Sequence, residues 1–357
     1  MIKAGSRPKY LFFSRLSILL VVLSTISVWT SSAHGQGVDQ IQPTVRSETP
    51  GSDAAERSRV SKDMNSGPAG GSNDKLEIRT RPMKIDVNLV LVPVTVTDTL
   101  NHPITWLSKD NFELLDGGQK QSIQLFSLED APMSIALVLD VSNSMVNRIE
   151  IEREALARFF DNANQEDEYF AIAVSNDPVM VAGPTRDIKD IQNKLAAIQP
   201  AGYTALLDSI SLALNKLQKA RYARKAILII SDGGENTSRF SFHEVKTLAE
   251  ESDVLIYAVR PVESIPLIRT IEERLGGHLL TTITETTGGR TVSLGNNEDI
   301  PDAAGTISSE LRSQYVLGFR PSHNPRDGKP HKLKVRLLKS GNNLHAHYKN
   351  QYSAPSP

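Results

Sequence analysis

The sequence predicts an α/β fold class: a doubly wound, mostly parallel sheet joined to a small all-β, sandwich-like domain formed by the N- and C-terminal flanks. Three regions of different periodicity lead to this prediction. Residues 131–313 alternate apolar, strand-like runs with helical segments, which is typical of parallel sheets covered by helices. Residues 81–130 and 314–352 instead contain short runs rich in Val and Thr with the periodicity of strands.

The first 33 residues have the layout of a signal peptide. Basic residues precede a short apolar stretch over 16–29, and small residues follow it up to Ala33. This order predicts an export signal over 1–33, so we expect a secreted or periplasmic, extracytoplasmic chain. The apolar stretch is shorter than the roughly 20 residues that usually span a bilayer. The alternative is that it stays uncleaved as a membrane anchor; otherwise the mature chain has no membrane span.

The amino-acid composition excludes several kinds of partner and site and predicts one disordered segment. The chain has 40 basic and 41 acidic residues, spread along its length, which argues against nucleic acid as the main partner. It contains no cysteine, so disulfides, thiolate metal sites and cysteine nucleophiles are excluded. Residues 34–80 are rich in Gly, Ser, Asn and Pro and poor in large apolar side chains, a composition that predicts a disordered linker.

The N-terminal β flank begins with a run over 85–98 that is rich in Val and Thr. The pair Gly117-Gly118 then separates the strand-like runs 112–115 and 122–126 and predicts a hairpin turn between them.

The central region carries the α/β pattern. Its strand-like runs lie at 134–140, 168–174, 225–231 and 254–259. Helical segments are predicted near 147–163, 187–198, 204–220, 241–251 and 299–313. In the helix near 204–220, apolar residues recur at helical spacing, so this face is expected to pack on the sheet. They are Leu206, Leu207, Ile210, Leu214 and Leu217.

The C-terminal flank is again strand-like. His345 and His347 share one face of its last strand, where we expect a solvent-facing pair rather than a metal site. Each flank is too small to bury a core alone, so we expect 314–352 to pair with 81–130. Residues 131–313 are then an inserted domain, and 353–357 form a tail.

Five oxygen-bearing side chains occur at strand ends or helix starts within the central region. They are Asp140, Ser142, Ser144, Thr204 and Asp232. The carboxyl ends of parallel strands meet at one edge of a sheet, so the two aspartates and the nearby hydroxyls are expected to converge there. Oxygen donors of this kind suit Mg²⁺, Mn²⁺ or Ca²⁺. For Thr204 the alternative is that its hydroxyl is only a helix N-cap.

These motifs resemble the metal-ion-dependent adhesion site of von Willebrand factor type A (VWA) domains. The matching stretches are Asp140-Val-Ser-Asn-Ser, Gly202-Tyr-Thr and Ser231-Asp-Gly, in the family's order and with all five ligand positions filled. The resemblance covers about residues 131–315, and the flanks are similar to those of bacterial exported VWA-related proteins. It implies a VWA, Rossmann-like fold and a bound Mg²⁺, Mn²⁺ or Ca²⁺. It also implies a protein partner whose Asp or Glu completes the coordination.

Two other functions stay open. A phosphohydrolase would use Asp140 as its nucleophile, but Ser142 stands where a general acid is expected, and no phosphate-binding loop, zinc-protease helix or esterase elbow is present. A structural scaffold in an envelope complex would need the same five side chains. Adhesion or other metal-dependent protein binding, without enzymatic activity, is the function that the sequence favours.

Overall fold

The computed structural model describes residues 89–262, 271–322, 327–338 and 343–354, with the backbone alone over 271–274. The predicted signal peptide and linker, 1–33 and 34–80, lie outside the described residues. Within the described part, no helix is both long enough and apolar enough to span a membrane.

Strands and helices are numbered in chain order. The strands are β1 (Val90–Thr97), β2 (Phe112–Asp116), β3 (Gln119–Gln121), β4 (Ile123–Glu129), β5 (Ser134–Asp140), β6 (Glu168–Val174), β7 (Val179–Thr185), β8 (Lys225–Ile230), β9 (Val254–Pro261), β10 (Thr291–Leu294), β11 (Gln314–Phe319), β12 (Pro330–Leu337), β13 (His345–Tyr348) and β14 (Gln351–Ser353). The α-helices are α1 (Ile149–Asp161), α2 (Ile188–Ala196), α3 (Leu206–Gln218), α4 (Phe242–Glu251), α5 (Ile271–Thr287) and α6 (Ile300–Arg312).

The central sheet is mostly parallel, which confirms the predicted fold class. Its six strands lie in the order β10-β9-β8-β5-β6-β7. Neighbouring strands pair in parallel, except that β7 runs antiparallel to β6 at one edge. β5 is central, and all seven of its residues are buried. Because both faces of such a strand are covered, it reads as one continuous apolar run rather than as an alternating one.

Helices pack on both faces of this sheet. Ile135, Leu137 and Leu139 of β5 share one core with α1, α2 and α6. Ala136 and Val138 point the opposite way, into a second core with α3, α4 and α5. Successive strand residues face opposite sides, so one short segment supplies both cores. The predicted apolar face of α3 is confirmed, since its five members all lie in the second core.

Three elements of the α/β region are not predicted by the sequence: α5, β7 and β10. In the flanks, β3 and β14 are not predicted either, and the turn at Gly117-Gly118 joins β2 to β3, whereas the run over 122–126 forms β4 in a different sheet. The α5 segment contains Gly276-Gly277 and several threonines, which are weak helix formers. Gly276 nevertheless has a packing reason, because a Cβ added there would stand 1.8 Å from the carbonyl oxygen of Gly233. β7 contains Gly183-Pro184, a pair tolerated only because this strand lies at the edge of the sheet.

Strands from both flanks build two four-stranded sheets, ordered β13-β1-β11-β4 and β14-β12-β2-β3. In the first sheet, β11 lies between β1 and β4; in the second, β12 pairs with β2. Apolar residues from both sheets, including Val94, Phe112 and Tyr315, share one core. The chain therefore leaves this β region after β4, forms the α/β region, and returns through β11.

Two expectations about the C-terminal flank are wrong in detail. β14 reaches Ser353, and the backbone N–H of Ala354 donates to the carbonyl of Lys329 at 3.1 Å, so paired structure extends into the predicted tail over 353–357. His345 is exposed, but His347 is half-buried, with its Nε2 3.2 Å from Thr97 Oγ1. Burial, with neighbouring Arg290 and His345, lowers the pKa of His347 to about 4.

Candidate metal centre

Asp140 and Asp232 lie at the carboxyl edge of two adjacent central strands. Asp140 is the last residue of β5 and has no exposed surface, while Asp232 follows the end of β8 and is 4% exposed. β5 and β8 are hydrogen-bonded neighbours. The carboxylates are close enough for the charge of Asp232 to raise the pKa of Asp140. The strand ends thus bring two carboxylates together from positions 92 residues apart in the sequence.

The loop after β5 directs two hydroxyl groups toward the same point. The backbone N–H of Ser142 donates to Asp140 Oδ1 at 3.0 Å, which folds the loop back on the aspartate. The hydroxyl oxygens of Ser142 and Ser144 then lie 3.0 Å apart. Ser142 is buried, whereas Ser144 is exposed, so the cluster opens to solvent on the Ser144 side.

Thr204 and Asp232 border one small space beside Gly234. A Cβ added to Gly234 would stand 3.2 Å from Asp232 Oδ1 and 3.6 Å from Thr204 Oγ1. Asn236 fixes Thr204 by two bonds: its Oδ1 accepts from the Thr204 N–H at 3.3 Å, and its N–H donates to the Thr204 carbonyl at 2.9 Å. The Asn236 bonds therefore fix the backbone of Thr204, whose hydroxyl and an Asp232 oxygen both lie next to Gly234.

The alternative role of Thr204 as an N-cap is wrong. Helix α3 begins at Leu206 with Ala205 as the N-cap residue, which has no side chain able to cap. The carboxylate of Glu235 takes the capping position instead, since its Oε2 accepts from the Leu207 N–H at 2.9 Å. This contact comes from a distant loop, which is why sequence reasoning could not find it.

Two further residues hold the aspartates, and the sequence motifs assign neither of them a role, although Ser231 begins one of the matching stretches. Ser231 Oγ donates to Asp140 Oδ2 at 2.6 Å and accepts from the Gly233 N–H at 3.0 Å. Arg260, 6% exposed, donates from Nε to the Asp232 carbonyl at 2.9 Å. The only sequence feature that could have indicated a role for Arg260 is its position as a charged residue near the end of the apolar strand β9. The first contact holds the Asp140 carboxylate, and the second holds the backbone of Asp232.

Electrostatics favour a cation at this point. Burial raises the pKa of Asp140 to about 6 against the hydrogen bonds from Ser142 and Ser231, and the charge of Asp232 raises it further. A cation close to both carboxylates would stabilise their ionised forms, because an opposite charge lowers the pKa of a carboxyl group. The five candidate side chains offer only oxygen donors, two carboxylates and three hydroxyls. This donor set fits a hard divalent cation such as Mg²⁺.

Glu152 is an unusual carboxyl group beneath the centre. It lies in α1, is 3% exposed, and neither carboxylate oxygen has a hydrogen-bond partner among the described residues. Burial, and next the charge of Asp140, holds its pKa well above the usual range. A group whose pKa is raised in the folded state destabilises that state above the pH of its ordinary titration.

We therefore expect Glu152→Met to stabilise the metal-free protein by about 1–3 kcal/mol at neutral pH, because it removes an unpartnered buried polar group at similar volume. Urea unfolding with chelator present measures this effect. The matched control is Glu154→Met, an exposed position on the same helix, which should change stability little. The gain should shrink as the pH falls toward 4, where Glu152 is protonated in both states. A destabilised Glu152→Met variant would contradict the expectation.

Part of the α/β region is similar to known proteins. Residues 135–235 match the family model of the von Willebrand factor type A domain. The chain is 28% identical over 120 residues to inter-alpha-trypsin inhibitor heavy chain H4 of Bos taurus, covering 30% of this chain and 13% of that protein. It is 30% identical over 139 residues to a protein of Borreliella burgdorferi, covering 36% and 40% respectively. It thus spans less than half the length of these relatives. BatB from Bacteroides thetaiotaomicron is a similar solved structure, with 22% identity, a TM-score of 0.40, and coverage of 51% of this chain and 100% of that one.

Proposed function

We propose that this chain, which carries a von Willebrand factor type A domain, binds a protein partner through a divalent cation held at the candidate metal centre. The residues proposed to hold the cation are Asp140, Ser142, Ser144, Thr204 and Asp232. The observation that carries the proposal is the buried pair Asp140 and Asp232, bordered by hydroxyl groups and open to solvent at Ser144. The signal-like order of residues 1–33 supports action outside the cytoplasm.

The coordination number of the cation explains why such a centre could also bind a protein partner. Mg²⁺, Mn²⁺ and Ca²⁺ take about six or more oxygen ligands. Five side chains leave at least one position for water or for an incoming oxygen. A partner's Asp or Glu fits that position, because its charge is attracted to the bound cation. The cation would serve as a bridge between two proteins.

The geometry disfavours the phosphohydrolase alternative. A nucleophilic Asp140 would need a free oxygen facing substrate, but it has no exposed surface. Its Oδ1 accepts from the Ser142 N–H and its Oδ2 from the Ser231 hydroxyl. These bonds suit a carboxylate that is held in place, and Ser142 cannot act as the general acid.

The raised pKa of Asp140 predicts how pH affects metal binding. Metal ligands must be deprotonated, so a proton on Asp140 competes with the cation. With a pKa of about 6, the affinity for Mg²⁺ should be near its full value at pH 7.5 and fall about tenfold by pH 5. Calorimetric titration of Mg²⁺ at the two pH values measures this. Equal affinities would show that Asp140 is not a ligand.

The function itself is tested by affinity capture from the exported fraction. Wild-type protein and an Asp140→Ala variant are compared, each with Mg²⁺ and with chelator. We expect a partner retained only by the wild type with Mg²⁺, and lost when the partner's key Asp or Glu is changed to Asn or Gln. Retention that survives both chelation and Asp140→Ala would make the metal a scaffold ion and move the interaction to another surface. Steady turnover of a phosphate ester, lost in Asp140→Ala, would instead support hydrolysis.

A further inference from the structure

Several exposed apolar side chains lie on segments that contact the loops of the candidate metal centre or helix α3. Large hydrophobic residues that stay exposed are usually scattered singly over a protein surface, and a group of them marks an interaction site. Here four belong to loops or helix starts next to the metal residues. They are Val146 at 49%, Tyr203 at 65%, Phe240 at 42% and Leu275 at 65% exposure. These four residues form the apolar rim.

Tyr203 has the most direct connection to the centre, because it immediately precedes Thr204. Its backbone N–H donates to Asn176 Oδ1 at 2.6 Å, which fixes the loop while the ring stays in solvent. The neighbouring carbonyl of Gly202 accepts from the Asn143 N–H at 3.1 Å. This bond ties the Tyr203 loop to the loop that carries Ser142, Ser144 and Val146. Two rim residues thus stand on two loops that are joined beside the centre.

Phe240 and Leu275 lie on two further segments of the chain, each with its own contact. The backbone N–H of Phe240 donates to Asp208 Oδ1 at 2.9 Å, and Asp208 lies one helical turn after Thr204. Leu275 precedes Gly276, whose backbone packs directly against Gly233, the residue after Asp232. The carboxylate of Asp208 therefore holds the loop that presents Phe240. Phe240 is thus connected to helix α3, and Leu275 is next to a residue that packs against the loop of Asp232.

A fixed apolar rim costs free energy unless something covers it. Burial of apolar surface is worth about 25 cal/mol per Å², and centrally placed aromatic side chains often dominate the affinity of an interface. A carboxylate on the cation alone would leave these side chains in water. A ligand segment with an acidic residue beside a large apolar one would satisfy the charge and the rim together.

We propose that the partner presents a peptide segment in which an Asp or Glu stands within a few residues of a large aliphatic or aromatic side chain, and that Tyr203 and Leu275 contact this apolar side chain. This inference rests on the proposed function, since the acidic residue must reach the cation. The inference adds to the proposed function the chemical class of peptide that the metal centre and the apolar rim would bind together.

A random peptide library displayed on phage tests the inference. The library is applied to immobilised full-length protein with Mg²⁺, and bound phage are eluted with chelator. We expect the eluted sequences to be enriched in Asp or Glu with a Leu, Ile, Phe, Tyr or Trp within three positions. Tyr203→Ser and Leu275→Ser should each weaken binding of the selected peptides at least about fivefold, while calorimetry shows unchanged Mg²⁺ affinity. The matched control is Leu91→Ser, a leucine 53% exposed on β1, which should bind the peptides normally.

The outcomes separate this inference from the function on which it rests. Chelator-eluted peptides that carry an acid without any apolar enrichment would overturn the rim contact and leave metal-dependent binding intact. Equal losses in Leu275→Ser and Leu91→Ser would also overturn it. A library that yields no chelator-sensitive peptides would contradict the proposed function itself, and the rim inference with it.

Discussion

An Asp140→Asn variant should lose divalent-cation binding while keeping its fold. We expect Mg²⁺ affinity to fall at least about 100-fold, since changing only the outer hydrogen-bond partners of metal ligands costs about 10- to 100-fold. The amide has the size of the carboxylate, so it fits a position with no exposed surface. It removes the negative charge but keeps one oxygen to accept from Ser142 or Ser231. The loss would therefore reflect charge rather than a cavity.

Calorimetric titration of Mg²⁺ measures the affinity, and circular dichroism with urea unfolding checks the fold. The control is Asp177→Asn, which makes the same change at a side chain 71% exposed and paired with Arg239. It should bind Mg²⁺ like the wild type. Equal affinity of Asp140→Asn and the wild type would remove Asp140 from the site.

A Tyr315→Ala variant should destabilise the β region by about 3–5 kcal/mol, the usual cost of removing a large buried aromatic ring. Tyr315 lies on β11, has no exposed surface, and its ring centroid lies 5.1 Å from that of Phe112 and 5.7 Å from that of Phe126. Its hydroxyl oxygen accepts from the Leu107 N–H at 3.0 Å. One side chain from the C-terminal flank thus supports three residues of the N-terminal flank.

Urea unfolding of the two variants Tyr315→Ala and Tyr315→Phe separates packing from hydrogen bonding. The Phe variant keeps the ring and leaves only the Leu107 N–H without its acceptor, so we expect a loss of about 1–2 kcal/mol. A Tyr315→Ala loss below that of Tyr315→Phe would show that the flanks do not depend on this shared core.

The sequence predicts the fold best where local pattern and burial agree. The β5 run is continuous and apolar because helices cover both faces, and the α3 face repeats at helical spacing because one side meets the sheet. Elements that are stabilised by tertiary contacts rather than by their own sequence pattern cannot be predicted in this way. The glycines of α5 look like helix breakers, although Gly276 allows the helix to pass against Gly233. The edge strand β7 is equally hidden by Gly183-Pro184.

In the candidate site, too, some residues can be predicted from the sequence and others cannot. Its five proposed ligands stand at strand ends or near a helix start, positions that sequence motifs mark directly. The residues that position them are set by tertiary contacts, so no local spacing reveals that Ser231 bonds to Asp140 or that Arg260 bonds to the Asp232 carbonyl. No sequence motif singles out Glu152, which is buried in α1 close enough to Asp140 for that charge to raise its pKa.

A crystal of the wild-type protein grown with Mn²⁺ and measured for anomalous scattering tests the central claim most directly, because it locates the ion without assuming its ligands. We predict a single strong anomalous peak at the carboxyl edge of β5 and β8, within bonding distance, directly or through one water, of the oxygens of Asp140, Ser142, Ser144, Thr204 and Asp232. The same experiment on Asp140→Asn should show no peak there. An ion bound elsewhere in the wild type, with that edge empty at saturating Mn²⁺, would contradict the account.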